Sequence, residues 1–408
     1  MKPDTMRTID RLAGIPLTFL ATLLLRLAKA MGRGRGWSPR PARILFIELS
    51  EMGSTILADP AMRKARDRFG ADLFFVIFRG NAESLQLLGT VPAANVFVID
   101  PAGILTLCRD VVRFSIWARR MRIDTAIDLE LFSRFSALLS LLSGAGLRAG
   151  FHRFYGEGLY RGDLLTHRVA YNPHQHIAKN FLALVNALLA PQREIPYSKT
   201  VIDDAELTLP QVQRSGAELD GVREVIRSLH PGWDPFGDRL VLINPNSSEM
   251  LPHRRWPADR FVQLMRLLLE NYPDVLLVIT GAPGEEADSR RIAAEIPGER
   301  CVDLTGRLDI AQLPALYLLA SLLVTNDSGP AHFAAVTPLP TVVLFGPETP
   351  ALYGSLGNAR FVRANLACSP CVSAFNHRRS ACDDNVCMQA ITPEMVMREV
   401  REVLDNHP

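Results

Sequence analysis

The sequence predicts an α/β protein with two Rossmann-like domains, each a doubly wound parallel sheet, preceded by an N-terminal interfacial helix. Three observations predict this fold class. Short apolar runs alternate with helical stretches, the alternation restarts after residue 236, and a charge-free apolar segment precedes the first run. With 408 residues, 48% of them hydrophobic, the chain is long enough to bury two cores.

The N-terminal apolar segment, residues 12–25, has no charged residue and is flanked by Arg7, Arg11, Arg26 and Lys29. Its 14 residues are fewer than the roughly 20 that a spanning helix needs. The basic residues after it make a poor signal-peptide cleavage site. We expect an interfacial helix on the anionic inner leaflet of the inner membrane, which makes the protein cytoplasmic and peripheral. A helix docked on the protein's own surface and a spanning helix are the alternatives.

The first half contains four apolar runs that read as buried parallel strands, because both faces of such strands are covered and the polar alternation is lost. They lie at residues 43–49, 72–78, 95–100 and 123–129. Helical stretches separate them, including a short helix expected at residues 82–88. These units predict one parallel sheet with helices on its faces.

The pattern restarts in the second half, with apolar runs at residues 239–245, 274–281, 301–306, 322–327 and 340–346. We expect a membrane-associating helix and basic linker, an N-terminal domain, a linker and a C-terminal domain at residues 1–36, 37–200, 201–236 and 237–408. Such sheets bind ligands at the carboxyl ends of their strands, which for two domains predicts a site in the interdomain cleft.

Composition argues against other classes of protein. The formal net charge is +2, which gives no reason to expect a nucleic-acid partner. The 27 glycines and 28 prolines show no period, so collagen-like and linker repeats are excluded. The sequence has no repeat of about 20 to 50 residues, which excludes a solenoid.

Polar or small residues follow the strands of the second half. Asn246, Ser247 and Ser248 follow the first strand, Gly281 and Glu285 the second, Thr305 and Gly306 the third, and Asn326, Asp327, Ser328 and Gly329 the fourth. Backbone N–H groups and hydroxyls at such strand ends can bind an anion, and Arg254 or Arg255 can supply a cationic partner for a diphosphate. Glu285 can accept hydrogen bonds from a ribose or sugar hydroxyl. The alternative is that these residues only cap helices.

Three stretches are similar to a known family. RILFIELSEMGST, which begins at Arg43, resembles the N-terminal signature of the ADP-heptose:lipopolysaccharide heptosyltransferases, glycosyltransferase family 9. INPNSSEMLPHRRWPADRF and TNDSGPAHFAAVTPLPTVVLFGPETP resemble its two C-terminal signatures. The resemblance extends from about residue 43 to residue 403 and implies the GT-B architecture, a nucleotide diphosphate sugar bound mainly by the second domain, and no required cofactor.

The resemblance also implies individual roles. Residues on the family's Asp-(Thr/Ser)-Gly-x-x-His motif line the donor diphosphate and sugar: Asp327, Ser328, Gly329 and His332. Phosphate contacts fall on Ser247, Ser248 and Arg254, the acid near the ribose on Glu285, and an apolar contact to the base on Leu308.

One position departs from the family pattern. In the family loop Leu-Ser-x-x-Gly-Asp the aspartate is the proposed general base for the acceptor hydroxyl, and here that position is Ser54. Serine has no useful basicity near neutral pH without an activating neighbour. Glu51, in the same loop, is the better substitute, and Asp59 is the other nearby acid; Glu51 as a solvated loop carboxylate is the alternative. The protein therefore has a relocated base, an acceptor that needs little base assistance, or no activity.

The expected function is that of an inverting glycosyltransferase that moves a heptose or related sugar from a nucleotide diphosphate sugar to a lipopolysaccharide-type or other envelope saccharide. The acceptor would bind to the N-terminal domain. The alternatives are a non-catalytic nucleotide-sugar-binding or scaffold member of the family and, more weakly, an epimerase of similar fold.

Four of the six cysteines cluster near the C-terminus: Cys368, Cys371, Cys382 and Cys387. The first pair has C-x2-C spacing and the second C-x4-C, with His377 between them, so a structural zinc site is one interpretation. A disulfide or labile thiols, and free buried thiols, are the others. We expect Cys108 and Cys301 to be buried, inert thiols.

Overall fold

The computed structural model describes residues 1, 3–32, 40–192, 194–247 and 251–406. The chain divides into two compact units, Met1–Thr208 and Leu209–Pro408. Each unit is an α/β domain with a parallel sheet, as predicted.

The first unit contains, among its described residues, a six-stranded parallel sheet in the order β3-β2-β1-β4-β5-β6. Its strands are β1 (Arg43–Ile47), β2 (Asp72–Phe78), β3 (Val96–Ile99), β4 (Thr125–Asp128), β5 (Leu147–Phe151) and β6 (His167–Val169). Its helices are α1 (Pro3–Leu12), α2 (Gly14–Ala30), α3 (Met52–Phe69), α4 (Ile104–Arg120), α5 (Arg134–Leu142) and α6 (Ile177–Leu189).

The second unit repeats this topology in its described part, with a parallel sheet in the order β12-β11-β10-β7-β8-β9. Its strands are β7 (Arg239–Asn244), β8 (Val275–Ile279), β9 (Cys301–Asp303), β10 (Leu322–Asn326), β11 (Thr341–Leu344) and β12 (Ala359–Val362). Its helices are α7 (Gly216–Leu229), α8 (Ala258–Asn271), α9 (Glu286–Ala294), α10 (Leu313–Leu319), α11 (Gly329–Ala334), α12 (Pro350–Tyr353), α13 (Val386–Gln389) and α14 (Pro393–Leu404).

Both sheets reverse their strand order between the first and fourth strands of the unit, at β1/β4 and at β7/β10. Loops that leave the carboxyl ends of two such neighbouring strands diverge to opposite faces of the sheet and leave a crevice between them. Each unit therefore has one position at which a ligand site is expected.

Two expectations about local structure were wrong. Residues 82–88 do not form an α-helix, and the segment Arg79–Gln86 is a 3-10 helix instead. Its tight turn is held by Asn81, whose amide donates to the Leu49 carbonyl at 2.7 Å, and by the Ser84 hydroxyl, which donates to the Asn81 carbonyl at 2.7 Å. Cys108 is exposed rather than buried, because α4 turns Asp110, Phe114 and Ala118 toward the core. The domain boundaries stay predictions; residues 201–236, expected to form a linker, include α7, which packs on α10.

The N-terminal helices dock on the first unit. Gly14, Thr18 and Thr22 lie four residues apart on α2 and are buried, and Arg26 pairs with Asp163 at 2.6 Å. The stretch Asp4–Ala30 is also long and apolar enough, by length and composition alone, to cross a membrane. In this structure α2 turns its small and polar side chains to the protein, which leaves its leucines outside.

Candidate functional site

The carboxyl edge of the second sheet is held together by the side chain of Asn326, at the end of β10. Its Oδ1 accepts a hydrogen bond from the Trp256 amide at 3.0 Å. Its Nδ2 donates to the carbonyls of Pro245, at 2.9 Å, and Asn246, at 3.1 Å. Asn326 is fully buried, so it fastens the loop after β7 to the end of β10 and does not itself face a ligand.

A buried cluster of charges lies on the same edge. The Arg254 Nε lies 3.3 Å from Asp327 Oδ2, and its Nη1 donates to the Asp327 carbonyl at 3.3 Å. Its Nη2 donates to Glu348 Oε2. Arg378 binds the same Glu348 carboxylate in a bidentate manner, Nε to Oε1 at 3.0 Å and Nη2 to Oε2 at 3.1 Å. Two carboxylates therefore balance two guanidinium groups, and Asp327 orients Arg254.

Sequence reasoning missed Glu348 and Arg378. Glu348 stands in the quoted stretch LFGPETP, in the loop after β11, and an acid beyond that strand end was the available signal. Arg378 lies between the two cysteine pairs, and its guanidinium also covers the Tyr353 ring, 5.1 Å from the centroid. Arg255, by contrast, is exposed and lies 3.5 Å from Asp288. Of the two arginines considered for the diphosphate, only Arg254 belongs to the buried cluster.

The ends of β7, β8 and β9 converge around Gly281. A Cβ atom at this position would lie 2.8 Å from Asn246 Nδ2, 2.8 Å from Thr305 Cγ2 and 3.0 Å from Glu285 Oε2. Glycine is therefore needed here because three side chains approach the backbone closely. This convergence brings together residues that are up to 59 positions apart in the chain, from Asn246 to Thr305.

Three polar atoms at these strand ends are buried and have no hydrogen-bond partner among the described residues: Asn246 Nδ2, Ser247 Oγ and Thr305 Oγ1. The side chains of Asn246, Ser247 and Thr305 are all about 95% buried. Buried polar groups in folded proteins are nearly always hydrogen-bonded, and the exceptions need a reason. A polar ligand at this edge would supply the missing partners.

Glu285 and Leu308 lie beside this convergence. The Glu285 Oε2 accepts a hydrogen bond from the Ala282 amide at 2.7 Å, and burial raises the pKa of its carboxyl. Its Oε1 receives no hydrogen bond from the described residues. Leu308 is half-buried in the loop after β9. Ser248 lies outside the described residues.

The motif after β10 is not a simple helix cap. The Ser328 hydroxyl donates to the Asn326 carbonyl at 3.2 Å and makes no capping hydrogen bond to α11, which begins at Gly329. His332 is buried within this six-residue helix. The helix-capping alternative therefore does not account for the Ser328 side chain.

The carboxyl edge of the first sheet brings Glu51 and Ser54 together. Ser54 lies in the first turn of α3, and its hydroxyl donates to Glu51 Oε2 at 3.3 Å. Asp59, the other acid considered, is fully buried in an ion pair with Arg63, Nε to Oδ2 at 2.7 Å. Asp59 is thus held inside the fold, and Glu51 remains at the edge.

A third acid, Glu130, lies at this edge and was missed. It follows β4, and its Oε1 accepts hydrogen bonds from the Leu49 amide and the Ser50 hydroxyl, both at 2.9 Å. Burial, with smaller contributions from the neighbouring Asp128 and Glu51 carboxylates, raises the pKa of the Glu130 carboxyl to about 7. The available signal was the stretch IDLE, in which an acid follows a predicted strand.

A buried ion pair between Arg161 and Asp128 supports this edge of the sheet. Arg161 binds the Asp128 carboxylate through Nη2 and donates from the same nitrogen to the Ser136 hydroxyl at 2.9 Å. Its Nη1 donates to the carbonyls of Phe151, at 3.2 Å, and Glu130, at 3.3 Å. These contacts fix the backbone of Glu130 relative to β5.

The four C-terminal cysteines, Cys368, Cys371, Cys382 and Cys387, are free thiols in this structure, and the expectation that they are buried is wrong for Cys368 and Cys371, which are exposed. The described residues contain no group of three or more histidine, cysteine or acidic side chains arranged to hold a metal ion. Burial raises the pKa of the Cys387 thiol, and its three fellow cysteines add to the shift. The zinc and disulfide interpretations stay predictions.

The sequence was compared with known families and proteins. Residues 117–380 match the family model of glycosyltransferase family 9 (heptosyltransferase). Lipooligosaccharide heptosyltransferase 2 of Campylobacter jejuni is 29% identical over 175 residues, which cover 42% of this chain and 52% of that protein. The chain thus spans about half the length of the first curated relatives it matches. Its counterpart in Haemophilus ducreyi is 30% identical over 317 residues, 76% of this chain and 84% of that protein.

Solved structures with the same fold include ADP-heptose lipopolysaccharide heptosyltransferase II of Escherichia coli. It has a TM-score of 0.67 at 22% identity and covers 89% of this chain and 99% of its own. The family 9 glycosyl transferase of Veillonella parvula has a TM-score of 0.66 at 18% identity and covers 91% and 100%. These similarities confirm the predicted fold class.

Proposed function

The chain belongs to glycosyltransferase family 9, the heptosyltransferases, and we propose that it is an inverting glycosyltransferase. It transfers a heptose or related sugar from a nucleotide diphosphate sugar to a lipopolysaccharide-type or other envelope saccharide. The observation that carries this proposal is the set of buried polar atoms without partners on Asn246, Ser247 and Thr305, on the sheet edge that also holds Arg254.

The donor binds at the carboxyl edge of the second sheet. The Ser247 and Thr305 hydroxyls donate hydrogen bonds to it, and Glu285 Oε1 accepts a hydrogen bond from a ribose hydroxyl. Ser248 contacts phosphate beside Ser247, and Leu308 contacts the nucleotide base. Ser328, Gly329 and His332 line the diphosphate and the sugar.

Arg254 stabilises the departing diphosphate. In this structure Asp327 and Glu348 hold its guanidinium, and the ion pair with Asp327 is long, with 3.3 Å between Nε and Oδ2. An incoming diphosphate competes with Asp327 for the guanidinium, and a preorganised cation in a buried site stabilises the negative charge that develops on the leaving group. This chemistry needs no cofactor.

A second candidate function is favoured by Ser54: a family member that binds the nucleotide sugar, or scaffolds an envelope assembly, without catalysing transfer. Ser54 stands where the family has its aspartate, and its hydroxyl donates to Glu51. Turnover by the purified full chain distinguishes the two functions, because both bind the donor and only one releases nucleoside diphosphate.

Thr305→Val is expected to weaken donor binding about tenfold without loss of stability. The Thr305 hydroxyl is buried without a partner in the unliganded protein, so its replacement by a methyl group is neutral or stabilising. In the complex the same hydroxyl makes a hydrogen bond worth roughly 1 kcal/mol or more. Thermal shift with a panel of nucleotide sugars and nucleoside diphosphates measures both effects, since a ligand that binds only the folded state raises its melting temperature.

The matched control is Thr337→Val. Thr337 is also buried, but its hydroxyl donates to the Ala334 carbonyl at 2.8 Å, so the control loses stability and keeps its ligand shift. Absence of a thermal shift with every nucleotide sugar would overturn the proposed donor site. Equal loss of shift in both variants would assign the effect to the fold instead of to the Thr305 hydroxyl.

We further propose that the protein lies on the cytoplasmic face of the inner membrane. Most leucines of α2 point away from the protein and are at least 46% exposed: Leu17, Leu20, Leu23, Leu24 and Leu27. The helix α4 carries a second exposed apolar row, Leu105, Val112 and Ile116, beside Arg109 and Arg113, which are also exposed. Both α2 and α4 pack on α5. Apolar side chains beside arginines match an anionic bilayer surface.

The double variant Leu20→Ser/Leu24→Ser is expected to lower binding to vesicles of phosphatidylglycerol and phosphatidylethanolamine by about tenfold or more. Each substitution removes a leucine side chain that buries apolar surface in the bilayer. Co-sedimentation at two salt concentrations measures it, and added salt weakens binding through the arginines. The control Phe236→Ser removes a 92% exposed aromatic side chain from the second unit and leaves binding unchanged. Wild-type binding to neutral and anionic vesicles alike would contradict the electrostatic part.

A further inference from the structure

We infer that Glu130 is the general base that accepts the proton of the acceptor hydroxyl in this protein, in place of the aspartate missing at Ser54. This inference rests on the proposed transferase function and assigns a catalytic residue to it. It also revises the expectation that Glu51 takes that role.

The position of Glu130 is the first argument. It follows β4, next to β1, at the point where the first sheet reverses its strand order. Ligands of such sheets bind at this point. The segment after β1, which leads into the family's catalytic position at Ser54 in the first turn of α3, contacts Glu130 directly through Leu49 and Ser50.

The hydrogen bonds of the carboxylate are the second argument. Both donors, the Leu49 amide and the Ser50 hydroxyl, bind Oε1 at 2.9 Å. Within the described residues no hydrogen bond reaches Oε2. The side chain is half-buried. One oxygen is therefore anchored and the other remains available for a substrate proton.

The charges around Glu130 are the third argument. Asp128 at the end of β4 and Glu51 before α3 are negative neighbours, and Arg161 donates to the Glu130 backbone carbonyl at 3.3 Å. Arg161 itself is committed to Asp128. Burial and the two carboxylates hold the pKa of Glu130 at about 7, the range in which a general base is most effective at neutral pH. Glu51 thus raises the basicity of Glu130.

The proposed step is balanced. The acceptor O–H proton moves to the Glu130 carboxylate as the acceptor oxygen bonds to the anomeric carbon of the donor sugar. The bond from that carbon to the diphosphate oxygen breaks, and its electron pair leaves with the nucleoside diphosphate. No oxidant, reductant or further reactant is consumed.

Glu130→Gln and Glu51→Gln distinguish the two candidate bases. Glu130→Gln is expected to lower kcat by about 100-fold to 10,000-fold, since that is the usual contribution of a general base. Its donor affinity, measured by thermal shift, stays within about twofold, because the donor binds to the other unit. Glu51→Gln keeps most of kcat and moves the midpoint of the pH–rate profile to lower pH, because removing a like charge lowers the pKa of Glu130.

A second readout does not need the substrate. A carboxyl whose pKa is raised from 4.5 to about 7 in the folded state binds more protons there than in the unfolded state, so stability falls as pH rises between those values. Glu130→Gln removes this part of the pH dependence of the urea midpoint. Glu130→Gln is also nearly isosteric, so it is expected to fold.

The outcomes separate the inference from the proposed function. Wild-type turnover together with an active Glu130→Gln overturns the inference and leaves the transferase intact, and an inactive Glu51→Gln with normal donor binding assigns the base to Glu51. A wild-type protein that binds donor and never releases nucleoside diphosphate, with any envelope saccharide acceptor, overturns both. An unchanged pH dependence of stability in Glu130→Gln contradicts the shifted carboxyl on which the inference partly rests.

Discussion

Replacing Arg254 with alanine is expected to lower the free energy of unfolding by about 3–5 kcal/mol, the usual cost of breaking a buried ion pair by removing one partner. The Arg254 side chain is 9% exposed and contacts two carboxylates, those of Asp327 and Glu348. Glu348 keeps Arg378, so most of the cost comes from the Asp327 carboxylate and from its backbone carbonyl. Urea unfolding of the full chain measures the change.

The same substitution is expected to remove transfer activity. It deletes the positive charge proposed to stabilise the leaving diphosphate, and the Asp327 carboxylate then repels that diphosphate. A side chain that stabilises the charge of the transition state in this way typically contributes about 100-fold to 1,000-fold to kcat. Steady-state release of nucleoside diphosphate measures this loss under conditions in which the variant is folded.

Arg255→Ala is the matched control. It removes an arginine from the next position, where the side chain is 45% exposed and lies 3.5 Å from Asp288. Exposed ion pairs contribute about 0–1 kcal/mol, so the control keeps nearly all of its stability. If the two variants lost equal stability, the buried cluster would have no special role in the fold.

Most of the strands that could be predicted from the sequence form short continuous apolar runs. Both β1 and β7 are continuous apolar runs because helices cover both sides of the sheet. The strands β5, β6 and β12 were not predicted, since Arg148, His167 and Arg360 interrupt the apolar pattern in short segments near the sheet margins. At such margins pairing with a neighbouring strand, rather than hydrophobicity, decides the structure.

The residues of the candidate site also include some that the sequence predicts and some that it does not. Residues directly after strands, such as Ser247 and Asp327, could be found because the carboxyl ends of parallel strands share one edge. Their partners could not, because the contact of Arg254 with Glu348 joins residues 94 positions apart. Asp327 was expected to face the donor. In this structure it contacts Arg254, which lies far from it in the sequence, so this contact could not be predicted either. Glu130 was overlooked because an acid after a strand is also what a solvated loop contains.

Asn326→Asp is expected to destabilise the second unit by about 3–5 kcal/mol, although only one NH2 group becomes an oxygen. Asn326 is fully buried, and its Nδ2 donates to the carbonyls of Pro245 and Asn246. An aspartate places a second acceptor against these two carbonyls and loses both hydrogen bonds, at about 1–3 kcal/mol for each group left unpaired. Urea unfolding of the full chain at pH 7.5 measures the loss.

The control is Asn271→Asp, at an exposed asparagine whose amide donates to the Leu267 carbonyl within α8 at 2.8 Å. Water replaces that partner, so stability is expected to change by less than about 1 kcal/mol. Because Asn326 fastens the loop that carries Ser247 to β10, its aspartate variant is also expected to bind the donor more weakly wherever it remains folded. Donor binding that survives at full strength would separate the Ser247 loop from the donor site, and would leave Thr305 and Arg254 as the groups that hold the nucleotide sugar.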